Sequence, residues 1–161
     1  MYWQLISNVL LMYGILVVVN IPAPFLGLQF ENDRVEQRHW FEPPGWVIPI
    51  VWFVLFTLLG IARYVLTKQG DNRFQGYAIV GFAVLCATYA YYTLGLSQLT
   101  GIPALWLGLW GNLAVIIAAT ILCWLLYNRS ATATLLVAPV IAWTLFATFI
   151  IVGKLKLQGL V

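Results

Sequence analysis

Long apolar runs alternate with short polar segments along this 161-residue chain. Residues 1–30, 74–128 and 130–153 contain no Asp, Glu, Lys, Arg or His. A helix needs about 20 apolar residues to cross a bilayer, so the run 74–128 holds two helices, and "TGIP" at 100–103 is the expected break between them. The pattern predicts a single transmembrane domain over 1–161, with spans at about 5–28, 46–66, 76–99, 104–127 and 132–153.

The one long polar stretch, predicted as a loop over 29–45, contains four of the five acidic residues and the only histidine. It is long enough to fold back over one face of the membrane. Pro22 and Pro24 precede it and are expected to kink or end the first helix, because each removes a backbone donor. Four basic residues fall on each predicted face, so the positive-inside rule does not choose an orientation.

The composition excludes an ordinary soluble domain. Hydrophobic residues make up 63% of the chain and charged residues 8%, with a mean hydropathy of +0.93, whereas about a quarter of a soluble domain is charged. The sequence therefore predicts an all-α, multi-pass integral membrane protein surrounded by lipid. The eight basic residues are spread over the span ends, an ordinary membrane pattern and not a nucleic-acid surface.

The residues do not require an enzyme or a metal. No Ser-His-Asp set, P-loop, carboxylate pair or dinucleotide glycine motif occurs, and His39, Cys86 and Cys123 lack metal-ligand spacing. No cofactor is required on these grounds. Arg63 is the ionisable residue deepest in a span and lies close to its end, so a proton relay through the membrane is not expected.

Eight tryptophans give the chain an aromatic character. Most lie near predicted span ends, where tryptophan belongs at headgroup level. Trp52 and Trp143 lie deeper in their spans, close to Pro49 and Pro139. The residues alone leave two interpretations open, core packing beside a kinked helix or an aromatic wall for an apolar, flat ligand.

The third span contains a polar and aromatic stripe formed by Thr88, Tyr89, Tyr92 and Thr93. Hydroxyls at membrane depth need partners, which favours hydrogen bonds between helices over a bound ligand. Small residues four apart allow close helix approach, either inside the bundle or between two copies of the chain. Two pairs have this spacing, Ala83 with Ala87 and Ala114 with Ala118.

Two segments resemble one known family. "PPGWVIPIVWFVLFTLLGIA" (43–62) and "LLVAPVIAWTLFAT" (135–148) are similar to the second and fifth helices of the TspO/MBR family, the tryptophan-rich sensory proteins and translocator proteins or peripheral-type benzodiazepine receptors. The third helix departs from the family's Gln, Asn and Trp pattern, with Tyr89, Thr93 and Leu96 at those places. The chain is thus identified as a divergent member.

The resemblance implies a homodimeric five-helix bundle with a cavity beneath the first loop. It implies binding of tetrapyrroles such as porphyrin and haem, or of sterol-like molecules, in transport, sensing or regulation. Two alternatives stay open: light-dependent porphyrin degradation, and an accessory or assembly subunit of a larger membrane complex that has lost ligand binding. The implied ligand-binding residues are Trp52, Phe56, Trp143, Phe146, Ala147, Tyr89 and Thr93, and the implied lid residues are Trp40, Pro44 and Trp46.

Overall fold

Helices make up most of residues 2–28, 41–70 and 72–159, the parts of the chain that the computed structural model describes. These residues include no strand, which confirms the predicted all-α class. The helices are α1 (Tyr2–Asn20), α2 (Val47–Lys68), α3 (Arg73–Ala87), α4 (Leu96–Thr100), α5 (Ala104–Tyr127) and α6 (Ala131–Leu157), with a 3-10 turn at Pro24–Leu26 and a π-helical turn at Tyr91–Gly95.

Four of these helical segments are each long and apolar enough to cross a membrane: the one that begins with α1, and α2, α5 and α6. Helix α3 and the segment Tyr91–Thr100 meet the same criteria together but are bent by 50° at the break between them. Counted as one bent span, this pair brings the total to five within the described residues. The membrane bundle of about five spans is therefore confirmed.

Local sequence explains where the helices stop and start. Helix α1 ends at Asn20, two residues before Pro22, and the Asn20 side-chain nitrogen donates to the Leu16 carbonyl at 2.9 Å. Gly101 follows α4 with φ +72°, a left-handed conformation that glycine adopts without strain. Helix α6 begins after Ser130, whose hydroxyl oxygen accepts from the Ala133 backbone N–H at 3.2 Å as an N-cap.

The bend in the third span departs from the continuous helix predicted over 76–99. The Thr88 hydroxyl lies 2.9 Å from the Val84 carbonyl and 3.0 Å from the Leu85 carbonyl, where it competes with the backbone ladder. A π-helical turn follows at Tyr91–Gly95. Hydropathy does not reveal this break, because every residue around it is uncharged. π-Helical turns are frequent at functional sites.

The bundle core lies where α2 packs on α1, α3 and α6. Met12, Phe56, Leu59 and Ile79 are fully buried there. Ala83 and Ala87 are buried in the same core, so this pair of small residues packs inside the bundle, whereas Ala114 is exposed on α5.

Helices α1 and α2 approach most closely at Gly60. A Cβ atom at this position would lie 2.8 Å from the Val9 Cα atom, which is a backbone atom that cannot rotate away. We therefore expect Gly60→Ala to lower the free energy of unfolding by about 1–3 kcal/mol through overpacking. Gly14→Ala on α1 is the matched control, because no atom lies within 4 Å of the Cβ added there. Thermal unfolding in detergent measures both, and equal Tm values for the two variants would contradict the close approach.

Candidate ligand-binding cavity

A cavity of about 870 Å³ lies inside the bundle. Small-molecule and cofactor sites typically enclose roughly 300–1,000 Å³, so this space is large enough for a sizeable organic ligand. Side chains of α1, α2, α3, α5, α6 and the π-helical turn line it. The start of α2 and the end of α6 contribute as well, which puts the mouth of the cavity on the face of the first loop.

Two tryptophans from different helices form the aromatic part of the wall. Trp52 on α2 and Trp143 on α6 are both half-buried and both line the cavity. Phe56 lies one turn after Trp52, is fully buried, and meets it edge to face with ring centroids 6.2 Å apart. Ala147 lies one turn after Trp143 and also lines the cavity, leaving space beside the indole.

The polar groups of the wall are largely satisfied within the protein. The Tyr89 hydroxyl donates to the Gly108 carbonyl of α5 at 3.4 Å, and the Thr93 hydroxyl donates to the Tyr89 carbonyl at 2.6 Å. Interhelical bonding, the interpretation favoured from sequence, therefore holds for Tyr89. It does not hold for Tyr92, whose buried hydroxyl has no hydrogen-bond partner in the described part of the chain.

Asn112 of α5 is a buried amide that lines the cavity. Its side-chain nitrogen donates to the Thr148 hydroxyl oxygen at 3.1 Å, and that hydroxyl donates in turn to the Thr144 carbonyl at 2.7 Å. The Thr148 hydroxyl hydrogen is already donated to the Thr144 carbonyl, so the hydroxyl oxygen can only accept from the amide N–H₂ of Asn112. This fixes the orientation of the amide. The Asn112 side-chain oxygen has no hydrogen bond among the described residues and is available as an acceptor to a ligand in the cavity.

An ion pair and an aromatic contact attach the segment 41–46, here called the mouth segment, to α6. The Lys154 ammonium lies 2.8 Å from a Glu42 carboxylate oxygen, and both residues line the cavity. Phe41 packs on Phe149 with ring centroids 5.1 Å apart. The only charged groups of the described cavity wall therefore lie at its mouth, and the interior is lined by uncharged side chains.

A family model described as TspO/MBR matches residues 15–154, a range that includes nearly all of this cavity wall. The chain belongs to the TspO/MBR family. The tryptophan-rich protein TspO of Archaeoglobus fulgidus is 30% identical over 121 residues, which cover 70% of each chain. Membership makes this chain a membrane protein of a ligand-binding or sensing family.

The structure brings six of the seven residues proposed for this TspO/MBR cavity to its wall. These six are Trp52, Phe56, Tyr89, Thr93, Trp143 and Ala147. Phe146 does not line the cavity, because its side chain is 36% exposed and its ring packs on that of Trp143 with centroids 5.8 Å apart. Successive helical residues are rotated by about 100°, so Phe146 and Ala147 cannot face the same way.

The proposed lid residues are less closely associated with the cavity. Trp40 lies outside the described residues. Pro44 and Trp46 belong to the mouth segment but do not line the cavity, and Trp46 is 67% exposed immediately before α2. Their neighbours Pro43 and Gly45 line it instead.

Sequence reasoning missed the amides of the cavity wall, among them Asn112 on α5 and Asn20 at the end of α1. Asn112 is the only Asn or Gln within α5, and polar side chains in a span are costly unless they pair or serve a function. If the cost of polar side chains in a span is applied to amides as well as to ionisable groups, it identifies Asn112 as a candidate from the sequence. Asn20 donates to the Ala87 carbonyl at 3.3 Å and lines the cavity between α1 and α3.

Proposed function

We propose that this TspO/MBR family member binds a flat, hydrophobic ligand in the cavity between Trp52 and Trp143, in a role in transport, sensing or regulation. A tetrapyrrole such as protoporphyrin IX or haem is the first candidate, and a sterol-like molecule is the second. The observation that carries the proposal is that two tryptophans from different helices line one cavity of about 870 Å³.

The distribution of polarity along the cavity supports a ligand with an apolar body and a polar edge. Binding would draw on aromatic stacking and apolar burial deep in the bundle, where each well-placed ring contact contributes on the order of 1 kcal/mol. Asn112 offers one acceptor in the interior, and the ion pair of Lys154 with Glu42 lies at the mouth. The carboxylates of a tetrapyrrole would lie at this mouth, where they would compete with Glu42 for Lys154.

Titration of the purified full-length chain with protoporphyrin IX in the dark tests the proposal. Tryptophan fluorescence should be quenched saturably at micromolar porphyrin, because both cavity indoles would contact the ring. Free N-acetyltryptophanamide at the same absorbance is the control for inner-filter loss. Quenching that does not saturate, or that matches the control, would exclude porphyrin as the ligand, and competition by a sterol would then be measured in its place.

A second candidate, an accessory or assembly subunit, is favoured by one observation. The hydroxyl hydrogens of Tyr89 and Thr93, which occupy the places of the family's polar pair, are used within the protein. Co-purification of stoichiometric partner proteins after mild solubilisation would support this function, and a monodisperse homodimer that binds porphyrin would count against it.

Illumination of the porphyrin complex, followed through its Soret band against free porphyrin, distinguishes light-dependent degradation from binding alone.

A further inference from the structure

Asn112 lies in the interior of the cavity and not at its mouth. Its partner Thr148 precedes Lys154 by six positions on α6, which at 1.5 Å per residue puts it about 9 Å further into the bundle than the ion pair. Trp143 lies five positions deeper still, so the amide lies between the mouth and this indole. Only 3% of Asn112 is exposed, which makes its unpaired oxygen costly in the empty cavity.

The bond to Thr148 determines which end of this amide faces the cavity. Asn112 lines the cavity and Thr148 does not, and it is the amide nitrogen that is turned toward Thr148. The oxygen is thereby left for the cavity, and no group among the described residues donates to it. A ligand that brings an N–H or O–H group to this oxygen would compensate the missing bond.

Two hydroxyls of the same wall have no hydrogen left for a ligand. Thr93 donates to the Tyr89 carbonyl at 2.6 Å, and Thr144 donates to the Val140 carbonyl at 2.8 Å. A threonine hydroxyl has a single hydrogen, so both can only accept from a ligand. These threonines and Asn112 together present acceptors to the cavity, which suits a ligand that carries a donor.

We infer that Asn112 determines specificity in this cavity, by selecting flat apolar ligands that carry an N–H or O–H donor on the apolar body. Thr148 is a positioning residue that acts through the amide. The inference rests on the proposed function and narrows its ligand class. A sterol hydroxyl and the edge N–H groups of an open-chain tetrapyrrole are such donors. The N–H groups of a closed porphyrin point toward the centre of its own ring, so a porphyrin binds by stacking and gains nothing from Asn112.

Two pyrenes that differ in one donor test the inference. 1-Hydroxypyrene and 1-methoxypyrene share the flat ring, and only the first can donate to Asn112. Energy transfer from tryptophan to bound pyrene, measured on the full chain in detergent at mildly acidic pH, gives both Kd values. The preference for hydroxypyrene should be about tenfold smaller in Asn112→Leu than in the wild type, the effect of one buried hydrogen bond. Comparing two proteins in the same detergent cancels the partitioning of the probes.

Three further variants make the test specific. Asn128→Leu is the matched control and should keep the wild-type preference, because Asn128 is exposed at the end of α5 and does not line the cavity. Thr148→Val keeps the shape of the side chain but frees the amide to rotate, so the preference should be lost, and Thr148→Ser should restore it. A role of Thr148 in packing alone predicts the opposite pattern. The Thr148 variants also decide the matter if Asn112→Leu does not fold.

The outcomes separate this inference from the proposed function. An equal preference for hydroxypyrene in the wild type and in Asn112→Leu would overturn the inference alone, whereas binding of neither pyrene and no quenching by protoporphyrin IX would contradict both. Titration of Asn112→Leu with cholesterol and with biliverdin then identifies the source of the donor. The ligand whose affinity falls about tenfold is of the selected class, and unchanged affinity for both would refute that class.

Discussion

Replacing Trp52 and Trp143 together with alanine is expected to raise the Kd for protoporphyrin IX about 30-fold. Each stacking contact contributes on the order of 1 kcal/mol, and the two indoles come from different helices, so their losses should add. The Soret absorbance of the porphyrin is the proper readout, because the substitutions themselves remove two of the fluorescent reporters. Trp52→Phe with Trp143→Phe should keep most of the affinity, since a ring remains at each position.

The matched control removes two tryptophans that face away from the cavity. Trp110 and Trp124 on α5 are 62% and 73% exposed, and neither lines the cavity. Trp110→Ala with Trp124→Ala should therefore leave the Kd within about twofold, inside the usual scatter for surface changes. A comparable loss of affinity in both double variants would show that porphyrin adheres to exposed indoles and not to the proposed wall.

Filling the cavity is expected to abolish binding without removing any native contact group. Ala147 on α6 lines the space one turn after Trp143, so Ala147→Phe would place a ring where the ligand should lie. We expect at least about a tenfold rise in the Kd for protoporphyrin IX, because a ligand that fits a rigid, well-packed site tolerates little added volume. The change should cost little stability, since it fills open space.

Ala142→Phe is the control for this substitution. It adds the same ring to the same helix, but Ala142 is exposed and does not line the cavity. Porphyrin titration and Tm are measured for both variants side by side. Wild-type affinity in a folded Ala147→Phe variant would mean that the ligand does not occupy this part of the bundle.

The fold was predictable because hydropathy and charge alone determine where helices must cross a bilayer. Runs free of charge, interrupted by Arg129 and divided by the helix break at Gly101, mark the helices without reference to tertiary contacts. The bend at Thr88 was not predictable in the same way, because it depends on hydroxyl-to-carbonyl bonds inside an uncharged helix. The length and composition of an apolar run do not distinguish a straight span from a broken one.

The cavity was predictable only where a motif identified it. Trp52, Trp143 and Ala147 came from segments similar to the TspO/MBR family, and the structure brings all three to one wall. Phe146 came from the same motif and does not line the cavity, because a linear motif does not record which way each helical side chain points. Asn112 was missed because its importance depends on Thr148, 36 positions later, which becomes visible only once α5 and α6 pack together.

A crystal structure of the chain grown with protoporphyrin IX in the dark would show where the ligand binds. The porphyrin ring is expected to lie within the bundle in contact with Trp52 and Trp143. Its carboxylates should lie at the mouth, where they would replace Glu42 as the partner of Lys154. A porphyrin bound on the outer surface of the helices, with the cavity filled by lipid, would contradict this placement.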